Sequence, residues 1–355
     1  MNSVKKYRVR LISLMLVFCM AFVSGCRGKN DTEPSADLSA IVETDSAEYT
    51  YEEMEADLYE LEERYGEFIQ VSYEGKSHDG RNIYYADIGS SDAEVQIMVN
   101  AGIHGREYMT PMYLMAEIEY FLSEAVSDEK LGAKLNDIMI RVVPMINPDG
   151  IAMSQGGLDA IRSEDLKQTI LDAYEYDRKL ESYQSYKDID TYLKYWKANA
   201  RGVDLNRNFD IDYWSELDTE RGRPSAQKFK GYLPNSENET KSLISLTDEL
   251  DGLACAVSIH SQGEIIYWDC GQKGEIRAKT VELAVLANKM NGYPLHTSFT
   301  APDASYNDWC VLELGIPSIN IETGTDSCPL PIEQFETIWD QNKELLSALV
   351  TKYSE

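Results

Sequence analysis

Residues 95–107 read VQIMVNAGIHGRE and combine a strand pattern with a turn that carries polar side chains. The first part of this stretch, 95–101, is a mostly apolar run of the kind that forms a buried strand. A glycine turn follows and carries His104 and Glu107, while a second apolar run, 253–259, ends in His260. Because sites in open α/β sheets lie beyond the carboxyl ends of the strands, we expect these side chains to meet there.

Strand patterns alternate with helical ones along the rest of the chain. This alternation predicts an α/β fold: a single domain with a mixed, largely parallel twisted sheet and helices on both faces. Further strands are predicted at 83–88, 138–143 and 317–321. A turn is predicted at 147–150 (NPDG), and a charged, tyrosine-rich helical insertion at 155–197. Helices are predicted at 49–66, 110–126, 236–250, 275–291 and 332–350.

The N-terminal segment predicts export and lipidation. A basic start and an apolar run over 11–23, too short for a permanent membrane span, favour a signal peptide over 1–25. Small residues precede Cys26, as in a bacterial lipobox, so Cys26 is expected to anchor the chain outside the cell membrane. An ordinary signal peptide or a retained anchor are the alternatives. Residues 26–46 then predict a flexible tether, and 47–355 the catalytic domain.

Charge and cysteine usage narrow the function. The formal net charge is -28, which repels phosphate backbones and argues against nucleic-acid binding. The sequence contains no CxxC spacing, so a zinc site made of thiolates is not indicated. Beyond the N-terminal segment, four cysteines remain: Cys255, Cys270, Cys310 and Cys328. They could be buried as small hydrophobic residues or paired in disulfides, and the sequence does not choose between the two.

The candidate ligands have the pattern of a catalytic zinc site. His104 and Glu107 are three residues apart, close enough to share one ion, and a remote His260 completes three ligands. Three protein ligands leave a coordination position open, which distinguishes a catalytic zinc from a structural one. The turn residue His78 is predicted to be exposed, and His296 to be structural.

Three further strings accompany this pattern: RGVDLNRNF at 201–209, SYNDW at 305–309 and INIETG at 319–324. With residues 104–107 and 147–150, they occur in the order found in the M14 zinc carboxypeptidases, the group of carboxypeptidase A. The chain resembles this family from about Tyr49 to Leu349. The resemblance implies a peptidase with one Zn2+ ion bound by His104, Glu107 and His260.

The resemblance also assigns roles to other residues. Glu322 is implied to be the general base that deprotonates the attacking water and then protonates the leaving nitrogen. Asp204 is implied to accept a hydrogen bond from His104. Asn206 and Arg207 would bind the terminal carboxylate of the substrate. Arg106 would contact the peptide on the N-terminal side of the cleaved bond. Simpler alternatives are a turn cap for Glu322, a surface ion pair for Arg207 and a turn residue for Asp204.

The chain departs from the family at the residue that stabilises the oxyanion. In the family this residue is an arginine that follows a tryptophan. Matching that pair of residues to this chain puts Lys197 in the place of the arginine. Lysine supplies charge but not the planar fork of arginine. Arg201 is a second candidate, and the sequence leaves the choice open.

The specificity pocket departs as well, because Asn307 stands where an apolar or acidic residue is expected. Tyr306 is a candidate to replace a tyrosine that the family places over the substrate. Strings around His260 and Tyr306 resemble γ-D-glutamyl-diaminopimelate peptidases, and Glu264 with Asn307 would suit diaminopimelate. The expected activity is a metallocarboxypeptidase; the alternatives are a peptidase of cell-wall stem peptides and a non-catalytic peptide-binding lipoprotein.

Overall fold

A computed structural model describes residues 40–180, 186–296 and 302–354. The predicted signal peptide, Cys26 and most of the predicted tether lie outside these residues. Among the helices that are described, none has the length and apolar character needed to cross a membrane.

The described chain forms a seven-stranded mixed sheet with strand order β1-β2-β4-β3-β5-β7-β6. The four central strands, β4, β3, β5 and β7, are parallel to one another, and the outer pairs are antiparallel. This confirms the predicted mixed α/β sheet with a parallel centre. The strands are β1 Ile69–Lys76, β2 Asn82–Gly89, β3 Val95–Ala101, β4 Ile138–Val143, β5 Leu253–Ser261, β6 Ile265–Tyr267 and β7 Ser318–Thr323.

Helices cover both faces of the sheet, as predicted. Along β3, Ile97 and Val99 pack into the core beneath α1, α2, α8, α10 and α11, whereas Met98 packs into the core beneath α7 and α9. The helices are α1 Tyr51–Tyr65, α2 Met109–Ser127, α3 Glu129–Lys134, α4 Pro148–Gly156, α5 Glu164–Asp177, α6 Ile189–Lys194, α7 Asn238–Asp248, α8 Gly274–Asn291, α9 Tyr306–Trp309, α10 Phe335–Asn342 and α11 Leu345–Tyr353.

Some local predictions were wrong, each for a physical reason. The expected turn at 147–150 begins α4, because the Asn147 side chain accepts a hydrogen bond from the Gly150 backbone and Pro148 occupies the first helical turn. The single closing helix is divided between α10 and α11 near Lys343. Strands β1 and β6 were not predicted, since both lie at an edge of the sheet and carry polar or exposed residues.

The segment predicted as an insertion, 155–197, contains α5 and α6. With α4 it forms a core of its own around Trp196, which is fully buried and packs edge-on against Tyr192. The indole nitrogen of Trp196 donates a hydrogen bond to the carbonyl of Asn199. This core therefore supports the loop that follows α6 and carries several candidate site residues. The domain boundaries themselves stay predictions.

Candidate metal centre and substrate cavity

The candidate ligands and the candidate base lie on, or just after, three neighbouring strands of the sheet. His104 lies in the turn after β3, and Glu107 lies just before α2. His260 is on β5 and is paired in register with Glu322 on β7. These strands are parallel, so their carboxyl ends meet at one edge of the sheet.

The two imidazoles and one carboxylate converge closely. The Nδ1 atom of His104 lies 2.8 Å from Oε1 of Glu107, and Nδ1 of His260 lies 3.1 Å from Oε2 of the same carboxylate. All three residues are buried, and their donor atoms lie within 4.8 Å of one another. Two neutral imidazole nitrogens and one carboxylate are a donor set that suits Zn2+ and leaves a position open. The residues present therefore fit the metal that the resemblance implies.

The other nitrogen of His104 faces Asp204. Its Nε2 atom lies 3.4 Å from Oδ1 of Asp204, and Oδ2 of this aspartate accepts a hydrogen bond from the backbone N–H of Lys228. Burial alone would raise the pKa of Asp204, but the charge of Lys197 and the contact with His104 hold it well below its ordinary value. An ionised Asp204 is placed to fix the orientation of the His104 ring.

Glu322 lies beside the cluster with its carboxyl in a different electrostatic setting. Burial raises the pKa of Glu322, as does the charge of Glu107, whereas His260, Lys197 and Arg106 lower it; together these effects raise the pKa to about 7. Burial would also raise the pKa of Glu107, but His104 and His260 lower it well below its usual range. The pKa values of the two carboxyls are therefore well separated. Glu107 is ionised, whereas Glu322 can exchange a proton near neutral pH.

A cavity of about 660 Å³ opens above these residues. Five of the predicted substrate or oxyanion residues line it: Arg106, Lys197, Asn206, Arg207 and Asn307. The Asn206 side-chain oxygen accepts a hydrogen bond from the backbone N–H of Tyr306, which holds Asn206 in place. One guanidinium nitrogen of Arg207 lies 3.2 Å from the exposed carboxylate of Asp303. Asp303 thus offsets part of the positive charge of Arg207.

Three of the predicted substrate or oxyanion residues do not line the cavity. Arg201 instead forms an ion pair of 3.3 Å with Glu237, so of the two candidate oxyanion residues Lys197 lines the cavity and Arg201 does not. The Glu264 carboxylate lies 3.4 Å from the amide of Gln341 and does not line the cavity. The substrate contacts predicted for these side chains are not supported by this geometry.

Tyr306 is the third. It is fully buried, packs against Phe209 and Trp309, and its hydroxyl lies 2.9 Å from that of Thr247. The reason is helical geometry: successive residues of α9 point in different directions, so Asn307 reaches the cavity while Tyr306 enters the core.

One of the two remaining histidines differs from expectation. His78 is half-buried rather than exposed, because its Nε2 atom lies 3.1 Å from Glu237 and 3.8 Å from Glu239. These three could also surround an ion, but both carboxylates already accept hydrogen bonds from the amide of Asn199. His296 lines the cavity, where its ring packs on Tyr267.

Sequence reasoning missed several cavity residues. Asp303, Tyr186 and Tyr195 line it without belonging to a recognised motif, and Asn320 lies within the string 319–324 but was given no role. The tyrosine-rich composition of 155–197 was the one available signal for two of them. The four cysteines are all free and buried in the described chain; Cys270 and Cys328 line the cavity.

Taken together, the fold and the cluster define a metallopeptidase of the α/β class. The comparisons agree: the chain belongs to the zinc carboxypeptidase family (Peptidase_M14), whose model matches residues 54–345. It is accordingly a hydrolase of the zinc metallocarboxypeptidase type, with zinc as its cofactor.

Relatives by sequence are distant but cover most of the chain. Gamma-D-glutamyl-L-diamino acid endopeptidase 1 of Lysinibacillus sphaericus is 25% identical over 299 residues, which is 82% of this chain and 70% of that protein. Carboxypeptidase O of Bos taurus is 25% identical over 316 residues, which is 83% of this chain and 76% of that protein.

Solved structures show the same fold. Thrombin activatable fibrinolysis inhibitor superposes with a TM-score of 0.68 at 16% identity, covering 90% of this chain and 78% of that chain. Carboxypeptidase A from Helicoverpa armigera superposes with a TM-score of 0.61 at 21% identity, covering 86% of this chain and 75% of that chain.

Proposed function

We propose that this protein hydrolyses the peptide bond next to a C-terminal residue that bears a free carboxylate. His104, Glu107 and His260 hold the single zinc ion, and Glu322 is the general base. The observation that carries the proposal is the convergence of the three donor atoms within 4.8 Å, with Glu322 in register beside His260.

The residues divide the chemistry among them. When bound, zinc supplies Lewis acidity, which polarises the scissile carbonyl and acidifies water. The Glu322 carboxylate accepts a proton from the attacking water and returns it to the leaving nitrogen. Lys197, which lines the cavity, stabilises the negative charge that develops on the carbonyl oxygen.

Arg207 and Asn206 bind the terminal carboxylate of the substrate. The planar guanidinium of Arg207 can donate two parallel hydrogen bonds to a carboxylate. One of its nitrogens forms an ion pair with Asp303 in this structure. Asp204 keeps the His104 ring oriented. Arg106 contacts the substrate upstream of the cleaved bond.

A direct test compares one peptide with a free C-terminal carboxylate and the same peptide as its amide. The zinc-loaded protein should release the last residue from the free acid and leave the amide nearly intact, as read by mass spectrometry. An Arg207→Met variant should lose this discrimination, chiefly through KM. Binding of the intact peptide without any cleavage by the zinc-loaded protein would instead indicate the non-catalytic peptide-binding alternative.

A second candidate is cleavage of cell-wall stem peptides. It is favoured by the name of the relative from Lysinibacillus sphaericus, an endopeptidase for γ-D-glutamyl-L-diamino acid bonds, and by the polar Asn307 in the cavity. Incubation with an L-alanyl-γ-D-glutamyl-diaminopimelate tripeptide and with an ordinary L-peptide separates the two. Release of diaminopimelate alone, with the L-peptide untouched, would establish the cell-wall activity.

The proposed location is the outer side of a bacterial membrane, with lipidated Cys26 as anchor. The support is the sequence pattern around Cys26. Mass spectrometry of the mature N-terminus should find a diacylated cysteine, and a Cys26→Ser variant should leave the membrane fraction.

A further inference from the structure

Asp177 is a buried carboxylate that the proposed mechanism does not use. It ends α5, in the segment predicted as an insertion, and is 0% exposed. Its Oδ2 atom accepts three hydrogen bonds: from the hydroxyl of Tyr192 at 2.8 Å, from the hydroxyl of Ser225 at 2.6 Å and from the backbone N–H of Ala226 at 3.1 Å. A carboxylate away from water is costly unless donors surround it. The three donors therefore fix where the end of α5 meets Ser225 and Ala226.

The segment that follows, 225–229, holds the backbone of Lys197. The carbonyl of Ala226 accepts one hydrogen bond from the N–H of Lys197 and another from the N–H of the next residue, both at 2.9 Å. The carbonyl of Lys197 in turn accepts a hydrogen bond of 3.1 Å from the N–H of Gly105, in the turn that carries His104. The backbone of Lys197 is thus hydrogen-bonded both to the 225–229 segment and to the turn of the candidate metal ligands.

The same segment also contacts Asp204, the carboxylate that faces His104. The backbone N–H of Lys228 donates to Oδ2 of Asp204 over 3.0 Å, and the N–H of Asp204 donates to the carbonyl of Phe229 over 2.8 Å. One short segment therefore supports both the candidate oxyanion residue and the partner of a candidate ligand. Asp177 anchors the first two residues of that segment.

We propose that Asp177 is a positioning residue: through the 225–229 segment it sets the place of Lys197 relative to the scissile carbonyl. The proposal rests on the proposed function, in which Lys197 stabilises the oxyanion. Lysine lacks the rigid planar fork of arginine, so the place of its ammonium depends on a fixed backbone. A misplacement of about 1 Å in such a group can lower a rate about a hundredfold. The helical insertion thus supports catalysis and does not merely cover the domain.

Two substitutions at position 177 test the acceptor. Asp177→Leu removes it, whereas Asp177→Asn keeps it, because the amide oxygen can take the place of Oδ2 and the nitrogen then lies where Oδ1 has no partner in the described chain. In the zinc-loaded protein, Asp177→Leu should lower kcat about tenfold to a hundredfold with KM little changed, and Asp177→Asn should retain most of the wild-type kcat. Asp172→Leu, at an exposed position of the same helix, is the control. Wild-type kcat in folded Asp177→Leu protein overturns the proposal.

Removal of one donor at a time separates positioning from general stability. Ser225→Ala breaks the side-chain link between α5 and the 225–229 segment, whereas Tyr192→Phe removes a donor that lies within the insertion itself. Both variants should have a lower Tm, but at a temperature where each is folded only Ser225→Ala should have a lower kcat. A lower Tm with wild-type kcat in both variants would mean that Asp177 is merely structural.

A double-mutant cycle tests whether the effect passes through Lys197. In the Lys197→Met protein, the further substitution Asp177→Leu should lower kcat much less than it does in the wild-type protein, because the group that Asp177 positions is already gone. Zinc content and Tm establish that each variant is folded and loaded. The same fold-loss of kcat in both backgrounds would overturn the route through Lys197.

A measurement without substrate keeps the two proposals separable. Amide hydrogen exchange reports the opening of the hydrogen bonds from Lys197 and Ala198 to the carbonyl of Ala226. By mass spectrometry, fragments that contain residues 197 and 198 should exchange faster in zinc-loaded Asp177→Leu protein and at nearly the wild-type rate in Asp177→Asn protein. If this holds but the wild-type protein cleaves no peptide, the proposed function fails and the positioning of Lys197 stands. Unchanged exchange in Asp177→Leu overturns the positioning.

Discussion

His260 and Glu322 are partners across two parallel strands: their Cα atoms pair in the register of β5 and β7. A predicted metal ligand and the predicted base are therefore held by the centre of the sheet rather than by loops. The relative position of metal and base thus depends on strand pairing, which the buried core on both faces of the sheet stabilises.

The Glu322→Gln substitution tests the assignment of the base. Glutamine fills the same space but cannot accept the proton of the attacking water, so kcat should fall by about 10²- to 10⁴-fold. Zinc content should stay at one equivalent, because Glu322 is not among the proposed ligands. Glu264→Gln is the matched control, since Glu264 does not line the cavity, and it should keep wild-type kcat. Wild-type turnover by zinc-loaded Glu322→Gln protein would sink the mechanism.

A second pair of substitutions separates the two candidate oxyanion residues. Lys197 lines the cavity, whereas Arg201 pairs with Glu237 outside it. Lys197→Met should lower kcat by about 10²- to 10³-fold, as expected for the loss of a group that stabilises a developing oxyanion. Arg201→Met should keep kcat near wild type. Steady-state kinetics at saturating peptide measure both, and the reverse ranking would return the role to Arg201.

The sequence was sufficient for the cluster because its signals are local. Residues 95–107 place a strand, a turn and two ligand types within one short stretch, and His260 ends a second strand in the same way. Neighbouring parallel strands bring their carboxyl ends to one edge of a sheet, so the meeting of these residues could be predicted once their strands were expected to be parallel.

Other features depend on partners that a single sequence does not reveal. Asn100, Ser258 and Asn320 lie side by side only because β3, β5 and β7 are neighbours in one register. Lys197 and Arg201 were indistinguishable until Glu237 was seen beside Arg201. Tyr306 was wrongly expected at the substrate, because a motif gives a position in the chain but not the direction in which the side chain points.

Removal of a single ligand tests the metal centre. His104→Ala should abolish stoichiometric zinc binding, measured by elemental analysis after dialysis. Its Tm should then no longer rise on adding zinc, because only an ion bound to the folded state stabilises it. His296→Ala is the control: His296 lines the cavity but packs on Tyr267 and is not part of the cluster. Full zinc occupancy in His104→Ala would contradict the ligand set.

A buried carboxyl outside the metal cluster and its cavity also has a raised pKa. Glu117, on α2, is fully buried and accepts a hydrogen bond from the backbone N–H of Leu346 at the start of α11. Burial raises the pKa of Glu117 to about 8, although hydrogen bonds from Tyr113 and Leu346 oppose this. The folded protein therefore holds this proton more tightly than the unfolded chain does.

The sign of the pH dependence follows from that difference. The stabilising effect is complete below the unfolded pKa of 4.5 and is lost as pH rises towards 8, where the folded pKa lies. Each pH unit in this window lowers the free energy of unfolding by up to about 1.4 kcal/mol. Glutamine at 117 does not titrate; it can still accept from Leu346 and can donate to the hydroxyl of Tyr113, which itself donates to the carbonyl of Asn342.

Urea unfolding at pH 5 and pH 8 measures the effect. Relative to wild type, Glu117→Gln should be more stable by about 1 kcal/mol or more at pH 8 than at pH 5. Glu63→Gln, at an exposed position of α1, should show no such change between the two pH values. If Glu117→Gln and wild type lose stability in parallel over this range, Glu117 is ionised in the folded protein, and its charge must be compensated by the hydrogen bonds from Tyr113 and Leu346 alone.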